Sequence, residues 1–193
     1  GRLQKAEGGK YEGGFHLSKR HGRGIETFGN DYGDTYICPA GIRHKGGYCK
    51  YDGTFLRGEL HGSGDLHCVD GRVYKGQWKY GKMHGHGFQK FTRFADRGVS
   101  RRMYIGKHNT LYRIKSYEGV YDRGERTGSG TIEYVNGDKV EGTFNRGLLE
   151  GKAIYHFRTG GVKGAIMKDG YRRAWWGRPS MVSMNIRDVV LDF

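Results

Sequence analysis

Apolar and polar residues alternate along much of the chain, and glycine interrupts the alternation at a fixed phase. In the stretch from Tyr74 to Gly87, YKGQWKYGKMHGHG, the residues Tyr74, Gly76 and Trp78 fall at i, i+2 and i+4. In a strand they share one face while Lys75 and Gln77 point to the other. After a turn at Gly81 the chain returns through a second alternating run, in which Gly85, Gly87, Gln89 and Phe91 share a face. The pattern predicts two strands joined into a hairpin with one aromatic and one polar face.

The same pattern recurs from Tyr11, Tyr51, Tyr117 and Val140, so the chain reads as a repeat protein with five copies. The steps from Tyr51 to Tyr74 and from Tyr117 to Val140 are both 23 residues, whereas 40 separate Tyr11 from Tyr51 and 43 separate Tyr74 from Tyr117. Two insertions, at about 29–50 and 92–116, account for the longer steps. Glycine weakens a strand and adds nothing to pack, so its fixed phase beside large rings predicts that it leaves room for a ring from a neighbouring segment. Loop glycines would not keep aromatic neighbours in phase over five copies.

The shared template, Tyr-x-Gly-x-(Trp/Phe)-x-x-Gly-x-x-His-Gly-x-Gly, resembles the MORN repeat, the membrane occupation and recognition nexus motif. The copies at Tyr51 and Tyr74 follow it closely. Ser18 replaces the turn glycine in the first copy, Thr127 the histidine in the fourth, and Val140, Glu150 and Ala153 the Tyr, His and last Gly in the fifth. A sixth, degenerate copy is expected from Val162, where VKGAI keeps the spacing of the opening pentad. The resemblance implies an all-β fold: an elongated, single-layer, twisted antiparallel sheet of successive hairpins spanning residues 1–178. It also implies an aromatic groove that binds partners and carries no chemistry, with Tyr51, Phe55, Tyr74, Trp78, Tyr117 and Tyr121 as the candidate groove residues. After Pro179, the residues Val182, Ile186, Val189, Val190 and Phe193 fall at helical spacing behind Ser180, so 179–193 is expected to be a short capping or interaction helix.

Composition sharpens this picture. The 14 Tyr, 9 Phe and 3 Trp supply most of the buriable area, so the core should be thin and aromatic. The formal charge of +14 predicts attraction to nucleic acid, acidic headgroups or acidic protein surfaces. The second insertion concentrates it: Arg93, Arg97, Arg101, Arg102, Lys107, Arg113 and Lys115 stand against Asp96 alone, interleaved with Phe94, Tyr104 and Tyr112. That mixture suits phosphate binding and base stacking, and it equally suits a solvated hairpin whose rings face the sheet.

Candidate chemistry is sparse. Cys38, His44 and Cys49, with His67 and Cys68 beyond, match no common zinc spacing, so no metal or cofactor is expected and the thiols read as buried or idle. Three cysteines make no even disulfide set, which favours a reducing, intracellular compartment. His21, His61 and His84 recur at one template position and read as structural, whereas His16 and His86 have no evident catalytic partner. No nucleotide-binding loop, nucleophile elbow or zinc-protease helix occurs, so no enzyme is expected. No apolar run is long enough to cross a bilayer. The chain opens on Gly1 rather than Met, which suggests an upstream segment removed by processing and leaves an organelle interior open beside a cytoplasmic or cytoskeletal location.

Three functions remain at this point. The first is a non-catalytic protein-interaction scaffold in a cytoskeletal, ciliary or membrane-associated assembly, as the resemblance implies. The second is a tether to acidic phospholipid. The third is a basic structural subunit of a ribonucleoprotein that contacts RNA backbone. The open edges of the expected sheet would also allow a homodimer.

Overall fold

The protein is described from a computed structural model. It describes residues 1–4, 9–37, 43–92 and 114–176, with the backbone alone at 30–37, 43–47 and 176. Among the described residues one antiparallel sheet of thirteen strands runs in chain order. Its strands are β1 (Arg2–Gln4), β2 (Lys10–His16), β3 (Lys19–Ile37), β4 (Arg43–Leu56), β5 (Glu59–Cys68), β6 (Val73–Lys79), β7 (Lys82–Lys90), β8 (Ile114–Asp122), β9 (Glu125–Tyr134), β10 (Lys139–Asn145), β11 (Leu148–His156), β12 (Val162–Lys168) and β13 (Tyr171–Trp176). The expected all-β, single-sheet array of hairpins is therefore the observed architecture.

Each copy closes through a two-residue turn in which both residues have positive φ, as at Arg57 and Gly58 (50° and 93°) and at Tyr80 and Gly81 (51° and 72°). Such turns match the right-handed twist of the strands they join. The turn glycine also bonds backward to the preceding hairpin: Gly58 N–H donates to the Arg20 carbonyl at 2.8 Å, and Gly147 N–H to that of Arg126 at 2.9 Å. Neighbouring copies are therefore joined at their tips as well as along their ladders.

The template glycines line up. Ladder pairing sets Gly13, Gly24, Gly53, Gly64, Gly76, Gly87, Gly119, Gly130 and Gly142 side by side across the sheet. Immediately beyond this row the register shifts in every copy, because the returning strand carries extra residues. Such bulges bend the strand and sharpen its twist. The sheet is therefore creased along the glycine row, and side chains on the two arms of the crease meet.

The meeting is aromatic. Tyr11, Tyr51, Tyr74 and Tyr117 lie over the glycines of their own copies; a Cβ on Gly24 would stand 2.5 Å from Tyr11 Oη, and one on Gly130 2.6 Å from Tyr117 Cε2. Each phenol donates to the carbonyl three residues on, Tyr11 to Gly14 at 2.8 Å and Tyr74 to Gln77 at 2.9 Å, which satisfies an acceptor at the bulge. The next copy then adds a ring edge-on. The series Phe15, Tyr11, Phe55, Tyr51, Trp78, Tyr74, Tyr121, Tyr117, Phe144 is continuous, with centroids 5.0–5.5 Å apart and interplanar angles of 81–90°. Edge-to-face pairs contribute about 0.5–1.5 kcal/mol each beyond area burial.

Within the first insertion β3 and β4 continue to pair as far as Ile37 opposite Arg43. Beyond the five copies β12 and β13 form a further hairpin, whose alignment with the row would start the pentad at Lys163 rather than Val162. Ala165, not Gly164, stands opposite Ala153 in the glycine row, and Trp175 follows it on β13. Most of the second insertion and the expected C-terminal helix lie outside the described residues.

Gly130→Ala is expected to destabilise the protein by about 1–3 kcal/mol, because the Tyr117 ring cannot yield without losing its neighbours. Thermal unfolding followed by circular dichroism measures this, and an unchanged midpoint would contradict the packing described.

Candidate functional site

The six candidate groove rings, Tyr51, Phe55, Tyr74, Trp78, Tyr117 and Tyr121, are each at most 2% exposed. The structure brings them together, but as the interior of the crease rather than as an open groove. Their polar atoms are also engaged: Trp78 Nε1 donates to the Gly64 carbonyl at 3.0 Å, and Tyr121 Oη to Gln89 Oε1 at 3.0 Å. In this structure they cannot serve as contact residues.

Sequence reasoning missed three charged residues in the same interior. Arg20 pairs with the fully buried Glu26, donates to the Gly58 carbonyl and lies 5.3 Å from the centre of the Phe55 ring. Arg126 lies over Tyr117 and Phe144, at 5.4 and 5.7 Å. Both occupy the template position held by Leu60, Met83 and Leu149 in other copies, all buried. An arginine at an apolar phase was the available signal. The guanidinium's flat, weakly hydrated face suits stacking on a ring.

Of the histidines at the repeated position, His21 lies 5.4 Å from His16 of its own hairpin, whereas the other two reach the next hairpin. His61 lies edge-on to Tyr80 at 5.5 Å, and His84 Nδ1 is 3.3 Å from Asp122. Glu150, which replaces the histidine in the fifth copy, accepts from Asp169 N–H at 2.7 Å. Cys49 and Cys68 stand directly opposite on β4 and β5 and form a disulfide, with Cα atoms 3.9 Å apart. Cys49 therefore is not an idle thiol or a metal ligand, and the argument from unpaired cysteines to a reducing compartment lapses. The pairing escaped the sequence reading because it depends on the register of one hairpin. Cys38 and the side chain of His44 lie outside the described residues, as do Arg93, Arg97, Arg101, Arg102, Lys107 and Arg113. Lys115 is described, and its ammonium donates to Glu133 at 2.8 Å and helps hold that carboxyl below its usual range.

The outer face is polar. Across β7 to β11 it carries a shallow, open depression lined by His86, Glu118, Ser129, Glu141, Lys152 and the exposed Ile154, with the buried Gly119 and the half-buried Gly130 and Gly142 at its floor. Its hydroxyls and carboxylates can hydrogen-bond a polypeptide, and Ile154 adds an apolar contact.

The MORN repeat family model matches residues 11–31, 51–71, 74–92, 117–139 and 141–162, which together make up more than half of the chain. The chain belongs to the MORN repeat family. MORN repeats generally mediate protein or membrane interactions and are generally non-catalytic. Among curated proteins the chain is similar to alsin: 29% identical to that of Rattus norvegicus, 28% to that of Mus musculus and 27% to that of Homo sapiens, each over 104 residues. The match spans 54% of this MORN chain and only 5% of the length of each alsin.

The buried rings set a pH dependence. Burial disfavours the phenolate, raising Tyr11, Tyr51 and Tyr74, pushing Tyr117 up to about 12 and Tyr121 well above the ordinary value. In an unfolded chain tyrosines ionise near 10, so above about pH 10 the unfolded state releases protons that the folded state keeps. Their stabilisation is full below that pH and declines as pH rises toward the folded values. In an alkaline titration, phenolate absorbance from these five tyrosines is expected to rise only together with loss of the sheet's circular dichroism. Ionisation near pH 10 with the sheet intact would contradict their burial.

Proposed function

We propose that this MORN array is a non-catalytic scaffold that binds a protein partner through its outer face, inside a cytoskeletal, ciliary or membrane-associated assembly within the cell. The observation that supports it most is the division of labour between the two faces. The rings are consumed in holding consecutive hairpins together, while the outer face offers a depression spanning five strands, with hydroxyls, carboxylates and the exposed Ile154. Interfaces of this mixed kind draw specificity from hydrogen bonding and shape. A membrane tether draws less support, because most of the described aromatic side chains are already packed against one another.

The test is capture of partners at about 0.15 M and about 0.5 M salt, where screening shortens from ~8 Å toward a few Å. The intact protein is compared with Ser129→Arg, which fills the depression. A protein that persists at both salt concentrations and is lost with Ser129→Arg, while thermal unfolding is unchanged, is the expected result. Capture indifferent to Ser129→Arg would remove the depression from the account. Trp78→Ala does not serve here: truncating a buried tryptophan costs about 3–5 kcal/mol, so it reports on folding rather than recognition.

A further inference from the structure

Charge on the outer face is sorted into rows. One row across the sheet holds Glu12, Asp52, Asp65, Glu118 and Glu141. Most of it is neutralised locally: Arg2 pairs with Glu12, Arg23 with Asp52 and Lys75 with Asp65, each at 3.1 Å, and His156 with Glu141 at 3.3 Å. The next row, two residues nearer the ends where successive hairpins join, holds Lys10 on β2, Lys50 on β4, Lys90 on β7 and Lys139 on β10. All four are exposed. Among the described residues, Lys10, Lys50 and Lys90 have no acidic partner, and Lys139 shares Glu133 with Lys115. At ~4.8 Å per strand the four residues are spaced at their backbones by about 10, 14 and 14 Å, over roughly 38 Å of the sheet.

We propose that this lysine row is a lane for the phosphate backbone of a single-stranded nucleic acid. A flat anionic surface fits it poorly. Adjacent strands rotate by roughly 20–25°, so over the eight steps from β2 to β10 the lysines turn through more than a right angle and cannot meet one plane together. A flexible strand can follow the turn. Lysine acts on phosphate as a point charge and reads no base edge, so the binding is set by backbone charge rather than sequence. Tyr48, two residues from Lys50 on the same strand face and 48% exposed, supplies a ring on which a base can stack. The paired acidic row alongside confines the polyanion to one strand's width.

The experiment measures fluorescence anisotropy of a labelled single-stranded oligouridylate of about 20 nucleotides, titrated with the full protein over a series of salt concentrations. The test variant combines Lys10→Glu, Lys50→Glu and Lys90→Glu. A control combines Arg57→Glu, Arg123→Glu and Arg146→Glu, which removes three exposed cations from the hairpin tips at the opposite long edge. A Lys→Gln version of the first triple guards against added repulsion, and circular dichroism melting checks each fold. The expected result is affinity weakened roughly tenfold or more and a log-log salt slope reduced by about 2 in the lysine triple, from ~0.7 per phosphate contact, with a much smaller change in the tip control. Equal losses in the two triples would show that net charge alone is responsible and overturn the assignment. So would an intact protein that ignores the oligouridylate while binding polyglutamate or phosphatidylserine vesicles.

Discussion

A tyrosine ring lying on a pair of cross-strand glycines is the contact on which the rest of the molecule depends. It requires glycine on both strands, because a Cβ on either would enter the ring, as at Gly76 and Gly87 under Tyr74. It uses the bulge beside the glycines, whose carbonyl accepts from the phenol. It leaves a ring edge against which the aromatic residue of the next copy stands, as Tyr121 does against Tyr74 at 5.4 Å. Each copy completes a neighbour's packing, which is how a sheet one layer thick acquires an interior. The chain contains its own comparison. Where the tyrosine becomes Val140 and then Lys163, Gly142 remains in the row but Ala153 and Ala165 take the two positions after it.

The functional surfaces follow from that contact. Rings committed to the crease are unavailable to a partner, so the proposed recognition falls to side chains that play no part in it: the outer depression across β7 to β11 and the lysine row. Outer-face substitutions there leave the ring series untouched. Surface charge and partner preference are therefore free to vary while the array stays intact.

Much of the fold was legible because its cause is periodic. Glycine phase, ring spacing and turn residues specify the hairpin, its frame and its repetition, and the family resemblance rests on the same positions. That the core is aromatic was legible but its enclosure was not, since strict alternation describes a flat strand and the crease arises only when the returning strand carries extra residues beyond Gly64, Gly87 or Gly130. The six rings accordingly read as a groove. The sixth frame slipped by one residue because VKGAI offers a glycine at the expected spacing, while the row follows the small side chain of Ala165. The pairing of Cys49 with Cys68, and that of Arg20 with Glu26, depend on which residues face each other across a bent ladder, and no local pattern carries that information.

The most direct measurement of the central claim is a double-mutant cycle between Tyr74→Leu and Gly87→Ala, read by equilibrium denaturation. If glycine is present to admit the ring, Gly87→Ala is costly beside Tyr74 and close to neutral beside Leu, with a coupling of about 1 kcal/mol or more. Costs that simply add would show that Gly87 serves the backbone alone, and the ring-on-glycine contact would lose its place as the organising interaction.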